Sequence, residues 1–402
     1  MTDATTTETP KSLKQPLVAD EPITTLEQLH IHLYQAAQVE LSTIPLYLYA
    51  AYSIKTGSEY QWEPGISAFR TIRSVVIEEM LHLCLVRNLL LGTGAPEISF
   101  YDEDFIPTYP SPMLHHEPEL MLHLETCTPE LMQRVFMPLE MPREPDAPPQ
   151  SDKYNTLGQF YAAIEGGLEY LDENEKSKLW ENPRGEYQYT HGYWNQDGGG
   201  NLFEVVDLKS AIEAIHEIVE QGEGAKPARG PMVPRDLKDP RAGAEEFSHY
   251  AKFQRIAEGI DPINETWPLP EDPKIPDFDQ PVRGLGEFFN AAYSYVLAMI
   301  DTLYTLSGDT RVPGKRSPRF GMERTFLAAM GGLLFPIADL LVRQPVAPES
   351  DQHAAPTFEY YDFGSADRKQ QLIERCDALL GSFPSLGGDD GVRQLIEKLP
   401  EV

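Results

Sequence analysis

An acidic pair followed at fixed spacing by histidine occurs twice in this chain, as Glu78-Glu79-Met80-Leu81-His82 and as Glu245-Glu246-Phe247-Ser248-His249. On an α-helix, Glu and His three residues apart differ by about 60° around the axis and lie one turn apart, so both side chains reach a single ion. The bare Glu-x-x-His spacing is a weak signal. It occurs four times, also at Glu27/His30 and Glu213/His216, where about one would arise by chance. The doubled acid is the informative part, since about a tenth of an occurrence would arise by chance and the chain holds two.

A buried pair of metal ions needs lone acids as well, and these show as carboxylates interrupting apolar stripes. Thr24 or Thr25 caps a helix running to about Ser53. Its stripe of Leu26, Leu29, Leu33, Ala36, Ala37, Ile44 and Tyr47 is broken only by Glu40. A carboxylate there costs several kcal/mol unless it is paired or coordinated. The bland alternative is an ion pair with Arg70 or Arg73. Pro45 should kink or widen the helix nearby. A second helix, about Ile66 to Leu91, carries Glu79 and His82 among Ile72, Val75, Val76, Leu83 and Val86. Glu78 also reaches His82, but the apolar face centres nearer Glu79.

A third acid comes from one of two places. Thr156 caps a helix to about Leu171 that contains Glu165, and Asp207 caps another that ends near Gly222 and contains Glu220. An antiparallel hairpin from that helix into one spanning about Pro240 to Ala257 would bring Glu220 to Glu246 and His249, which favours Glu220 over Glu165. This pattern, a Glu-x-x-His from each of two helices and a lone Glu from each of two others, is how ferritin-like carboxylate proteins hold two metals. The expected fold is therefore all-α, a ferritin-like four-helix bundle with a long crossover insertion and a C-terminal helical module.

Composition narrows the setting. The chain has 33 basic and 63 acidic residues, a formal charge of −30, which argues against nucleic acid or anionic membrane as partner. Cys84, Cys127 and Cys376 are too few and too scattered for a disulfide framework. Residues 1–20 are polar, Thr-rich and without an apolar stretch of the kind a signal peptide carries, which predicts a disordered tail and a cytoplasmic protein. The bundle is expected over 21–265, a Pro- and Asp-rich linker over 265–280, and the C-terminal module over 281–402. Residues 92–154 read as a Pro-rich crossing segment with a short helix near Pro129 to Phe136. Its His115, His116 and His123 have no carboxylate at ligand spacing. Long helices at Leu285 to Thr305 and Gly321 to Val342 present Met and aromatic stripes that suit packing on the bundle or a homodimer contact. The apolar run Phe326 to Val342 reads as a buried helix, because Pro336 and Asp339 interrupt it.

Several stretches resemble the ferritin-like domain of the iminophenyl-pyruvate dimer synthases, enzymes of violacein- and rebeccamycin-type biosynthesis. They are Gln38-Val39-Glu40-Leu41-Ser42-Thr43-Ile44-Pro45, Glu78-Glu79-Met80-Leu81-His82, Thr156-Leu157-Gly158-Gln159-Phe160-Tyr161, Glu220-Gln221-Gly222-Glu223-Gly224 and Ser248-His249-Tyr250. The resemblance implies a di-iron site held by Glu40, Glu79, His82, Glu220, Glu246 and His249.

Carboxylates and imidazoles in these proportions suit iron or manganese. Tyr47, two turns from Glu40 on one face, is the candidate catalytic residue as a proton or electron source, beside its reading as a packed core residue. The function expected is a di-iron oxidase or oxygenase acting with dioxygen on a small amino-acid-derived metabolite. Its rivals are a dimanganese catalase, an iron-binding protein, and a non-catalytic scaffold docked on a biosynthetic enzyme.

Overall fold

Local signals set the helix starts. In the computed structural model, Thr25 accepts the Gln28 N–H in a capping box and opens α1, Leu26–Ser53. Ser67 accepts the Arg70 N–H and opens α2, Ala68–Gly92. Thr156 caps α3, Leu157–Leu179; Asp207 and Ser210 form the capping box of α4, Leu208–Gly222; and Ser248 caps α5, His249–Ala257. The structure describes residues 9–56, 67–142, 152–181, 184–190, 200–223, 247–308, 317, 319–388 and 391–402.

α1 is the central helix. Its buried residues run from Leu29 to Ser53 and include all faces, as expected of a helix surrounded by others. α2 packs along it and α3 flanks it, while α4 and α5 pack on α2. Pro45 lies inside a continuous α1. The segment between α2 and α3 carries a small antiparallel pair, β1 (Ser111–Pro112) with β2 (Met121–Leu122). It also carries a short helix: Pro129–Leu131, a π-turn at Met132–Phe136, then Met137–Leu139. That helix runs three residues beyond its expected end and delivers Glu140 as its C-cap.

The expected tail is a correction for 9–20. Leu13, Leu17 and Ala19 are buried, and the Lys14 ammonium pairs with Asp104 at 2.8 Å and Asp102 at 3.2 Å; residues 1–8 lie outside the described set. The expected linker is also packed. The Lys55 N–H donates to the Glu265 carbonyl at 2.7 Å and the Trp267 N–H to Ser53 at 2.7 Å, so this strap covers the end of α1. The C-terminal helices are α6 (Val282–Thr305), α7 (Phe320–Ala329), a π-turn at Met330–Leu334, α8 (Phe335–Val342), α9 (Arg368–Leu379) and α10 (Val392–Lys398). They share one hydrophobic core with the bundle. Two polar anchors fix the junction. Asp301 accepts from Ser99 Oγ at 2.6 Å and from the Phe100 and Tyr101 N–H groups at 2.8 and 3.0 Å. Fully buried Arg319 donates to the carbonyls of Leu303, Leu306, Tyr187 and Gln188.

Phe320–Val342 is long and apolar enough to cross a membrane, and 39% of its most apolar 18-residue window is buried within the fold. Leu333, Ile337, Ala338 and Leu341 form its buried edge. The three cysteines are free thiols.

Candidate metal centre

Glu40 from α1 and Glu79 and His82 from α2 meet in the bundle interior. His82 Nδ1 lies 3.4 Å from Glu40 Oε2 and 3.9 Å from Glu79 Oε2. On the other side of Glu79, His249 Nδ1 lies 2.9 Å from Glu79 Oε1 and 3.5 Å from Glu140 Oε1. Two ligand sets result, Glu40/Glu79/His82 and Glu79/Glu140/His249, each with donor atoms within 4.8 Å of one another. Glu79 belongs to both. Every member is at most 3% exposed, and the imidazoles of His82 and His249 face each other with ring centroids 5.3 Å apart.

Neighbours orient each donor. His82 Nε2 donates to Gln221 Oε1 at 2.9 Å and His249 Nε2 donates to Glu78 Oε2 at 3.0 Å. In the neutral form of each ring the lone pair is therefore on Nδ1, on the side of the carboxylates. Fully buried Lys252 bonds Glu78. Burial pushes Glu78 up, but Lys252 and His249 outweigh it and hold the carboxyl below its usual range. Thr43 Oγ1 donates to Glu79 Oε2 at 2.7 Å, the Tyr161 hydroxyl donates to Glu40 Oε1, and Tyr47 donates to Glu140 Oε1 at 2.5 Å.

The Glu140 turn is seated by aromatic packing. Phe136, one turn before it, lies 4.8 Å from Tyr47 and 5.0 Å from Phe253, centroid to centroid, which locks the short helix against α1 and α5. At the end of α4, a Cβ on Gly222 would sit 3.2 Å from Glu140 Oε2. Gly222→Val should therefore displace this carboxylate and weaken metal binding at the Glu140/His249 set by about tenfold to a hundredfold. Titration of the variant with ferrous or manganous ion checks this.

The cluster suits a pair of cations better than it suits itself. Four carboxylates, Glu40, Glu78, Glu79 and Glu140, are buried with one ammonium, Lys252. Burial, reinforced by Glu140, pushes Glu79 up to about 7. Burial opposes charging His249, yet Glu140, Glu78 and Glu79 raise it well above its usual value. In the same way Glu40 raises His82 against its burial. Although His249 Nδ1 is 2.9 Å from Glu79 Oε1, it is out of line for a hydrogen bond and is a buried polar atom without one. Such an atom costs free energy unless something occupies its lone pair. Three carboxylates and two imidazole nitrogens around two positions match the hard and borderline donors that iron and manganese take.

Of the expected ligands, Glu40, Glu79, His82 and His249 come together. Glu220 does not join them: it is half-buried in the last turn of α4 and belongs to neither ligand set. Its rival Glu165 faces His216, with Oε1 3.3 Å from Nε2. Glu246 lies outside the described residues. The helix that carries His249 begins at that residue, with Ser248 in extended φ/ψ as its cap. Glu40 meets Tyr161 and His82, not the Arg70 or Arg73 of the bland alternative. Tyr47 is fully buried beside Glu140, where burial and that carboxylate hold its hydroxyl well above the usual range.

Sequence reasoning missed Glu140, Tyr161, Gln221 and the Lys252–Glu78 pair. Glu140 carried the signal that found Glu40, since it continues the apolar spacing Met132, Val135, Phe136, Leu139. His123 pairs with Asp272 at 2.6 Å and Glu271 at 3.0 Å, partners too distant in sequence for any local spacing to show. Asp272 also accepts the Leu124 N–H at 2.8 Å, making this a half-exposed corner under the strap.

Comparison with known proteins agrees with this architecture. A crystal structure of a ferritin-like protein from Caulobacter vibrioides matches with a TM-score of 0.52 at 21% identity, over 84% of this chain and 99% of that one. Dichlorochromopyrrolate synthase of Lentzea aerocolonigenes is 27% identical over 414 residues, covering 89% of this chain and 37% of that protein. The 2-imino-3-(indol-3-yl)propanoate dimerase of Chromobacterium violaceum is 24% identical over 404 residues, covering 88% of this chain and 36% of that protein. The chain thus spans little more than a third of the length of these curated relatives, and they are consistent with the resemblance to the iminophenyl-pyruvate dimer synthases. A family model described as Ferritin-like matches residues 33–258, more than half the sequence, and the chain belongs to that family.

Proposed function

We propose that this protein is a non-haem di-iron oxidase or oxygenase that uses dioxygen to oxidise a small amino-acid-derived metabolite in specialised metabolism. The observation that carries the reading is Glu79, shared by two buried Glu/His sets. Glu40 and His82 would hold one ion, Glu140 and His249 the other, and Glu79 both. The named relatives, a synthase and a dimerase, support an enzymatic role over a storage role. When bound, a ferrous pair supplies electrons for the reduction of dioxygen.

The rest falls to the protein's own side chains. Gln221 and Glu78 fix the imidazole tautomers, so that Nδ1 of each is the donor atom. Tyr161 bonds Oε1 of Glu40 and leaves Oε2, 3.4 Å from His82 Nδ1, for coordination, while Tyr47 bonds Oε1 of Glu140, the oxygen that faces His249, and fixes the orientation of that carboxylate. The Tyr47 hydroxyl proton stays on oxygen until charge appears next to it, because burial and Glu140 both resist its loss. The 2.5 Å bond to Glu140 Oε1 holds the hydroxyl in place beside the site. The buried aromatic seal of Tyr47, Phe136 and Phe253 keeps water from this side.

Protein prepared with iron and manganese both supplied should retain about two iron ions per chain, as the two sets imply, and should consume oxygen when amino acids or their imines are added. Removal of the metal should lower the thermal midpoint, because the buried carboxylates then repel one another. Rapid peroxide disproportionation by a manganese-loaded form, without an organic substrate, would overturn the oxidase reading in favour of a catalase.

A further inference from the structure

The two imidazoles of the centre lean on different acceptors. Behind His249, Nε2 donates to Glu78 Oε2 at 3.0 Å, and Lys252, one turn further along α5, bonds the same oxygen. Both partners are sealed from solvent, Lys252 at 0% exposure and Glu78 at 2%. The ammonium balances the carboxylate, so the pair stays ionised in a dry interior. Behind His82, Nε2 donates to the amide oxygen of Gln221 at 2.9 Å. That amide is oriented from its other end, where Gln221 Nε2 donates to Glu217 Oε1 at 3.2 Å.

The chain behind His82 runs outward. Glu217 Oε1 also accepts the Asn201 N–H at 2.9 Å; Gln221 and Glu217 are half-buried and Asn201 is exposed. An ionised carboxylate as acceptor raises the donor strength of an imidazole more than a neutral amide does. The remaining donors do not divide the positions in this way. Glu79 belongs to both sets, and each lone carboxylate takes one tyrosine hydroxyl.

We propose that the two metal positions are unequal and fill in order, the Glu140/His249 position first and tightly, the Glu40/His82 position second and exchangeably. Glu78 and Gln221 are the positioning residues that set the difference. The inference rests on the two-metal reading of the cluster and stands without the oxidase reading.

The test adds manganous ion to the metal-free full chain and follows binding by calorimetry and electron paramagnetic resonance. The first equivalent should give the spectrum of an isolated ion. The second should bind at least about tenfold more weakly and convert that spectrum to one of a coupled pair. Manganese-edge anomalous diffraction from wild-type crystals holding one equivalent should show a single peak beside His249 and Glu140. Gly200→Ala reaches His82 from the surface: at a φ of 114°, a Cβ there would sit 2.2 Å from Gln221 Nε2 and 2.3 Å from Glu217 Oε1. It should weaken the second step by about tenfold and leave the first unchanged. Glu78→Gln should weaken binding beside His249 by about tenfold to a hundredfold and so erase the separation between the steps. Two ions bound with equal affinity, a first peak beside His82, or a first step weakened by Gly200→Ala would each overturn the proposal and leave the paired centre standing. Binding of no ion at either position would overturn both. The expected order in a protein that takes up no oxygen would uphold the proposal and remove the oxidase reading alone.

Discussion

Glu79→Gln is expected to abolish paired metal binding and reduce substrate-dependent oxygen uptake by at least about a hundredfold, more than the loss of a group that only orients a ligand. Among the described residues Glu79 is the one shared by both ligand sets, beside both imidazoles. Glutamine keeps its shape and can still accept from Thr43, but it removes a negative charge from a cluster that already holds Glu40, Glu78 and Glu140 at 2–3% exposure. The same substitution should therefore raise the thermal midpoint of the metal-free protein while lowering the gain on adding metal. That opposite movement separates a ligand from a residue needed only for folding. A structural carboxylate would lose stability in both states. Thermal melts with and without ferrous ion, beside elemental analysis, decide between them.

Glu140→Gln should leave one metal position intact and weaken the other by about a hundredfold or more, whereas Glu220→Gln should change binding by less than about tenfold. Glu140 Oε1 is 3.5 Å from His249 Nδ1 and accepts from Tyr47, and Glu220 is outside both ligand sets. A ranking in the reverse order, read by metal stoichiometry, would return the third carboxylate to α4.

The contrast between these two acids shows what the chain discloses by itself. Helix starts were legible because they are local: Thr25, Thr156 and Asp207 each accept the N–H three residues on. Glu40, Glu79 and His82 were legible because they break apolar stripes on long helices, where burial follows from period alone. Glu140 carried the same mark on a short helix between Pro-rich segments, and the π-turn at Met132–Phe136 shifts the face it presents, so spacing understated it. What no local pattern carried were the contacts between distant segments. Tyr161 to Glu40, Gln221 to His82 and Lys252 to Glu78 are set by how the helices pack.

Where the metals sit tests the central claim most directly. Iron-edge anomalous diffraction from crystals of the iron-loaded protein should show two peaks flanking Glu79, one beside Glu40 and His82, the other beside Glu140 and His249. Peaks confined to another place, such as the His123, Glu271 and Asp272 corner, or no peak beside either imidazole, would contradict the account.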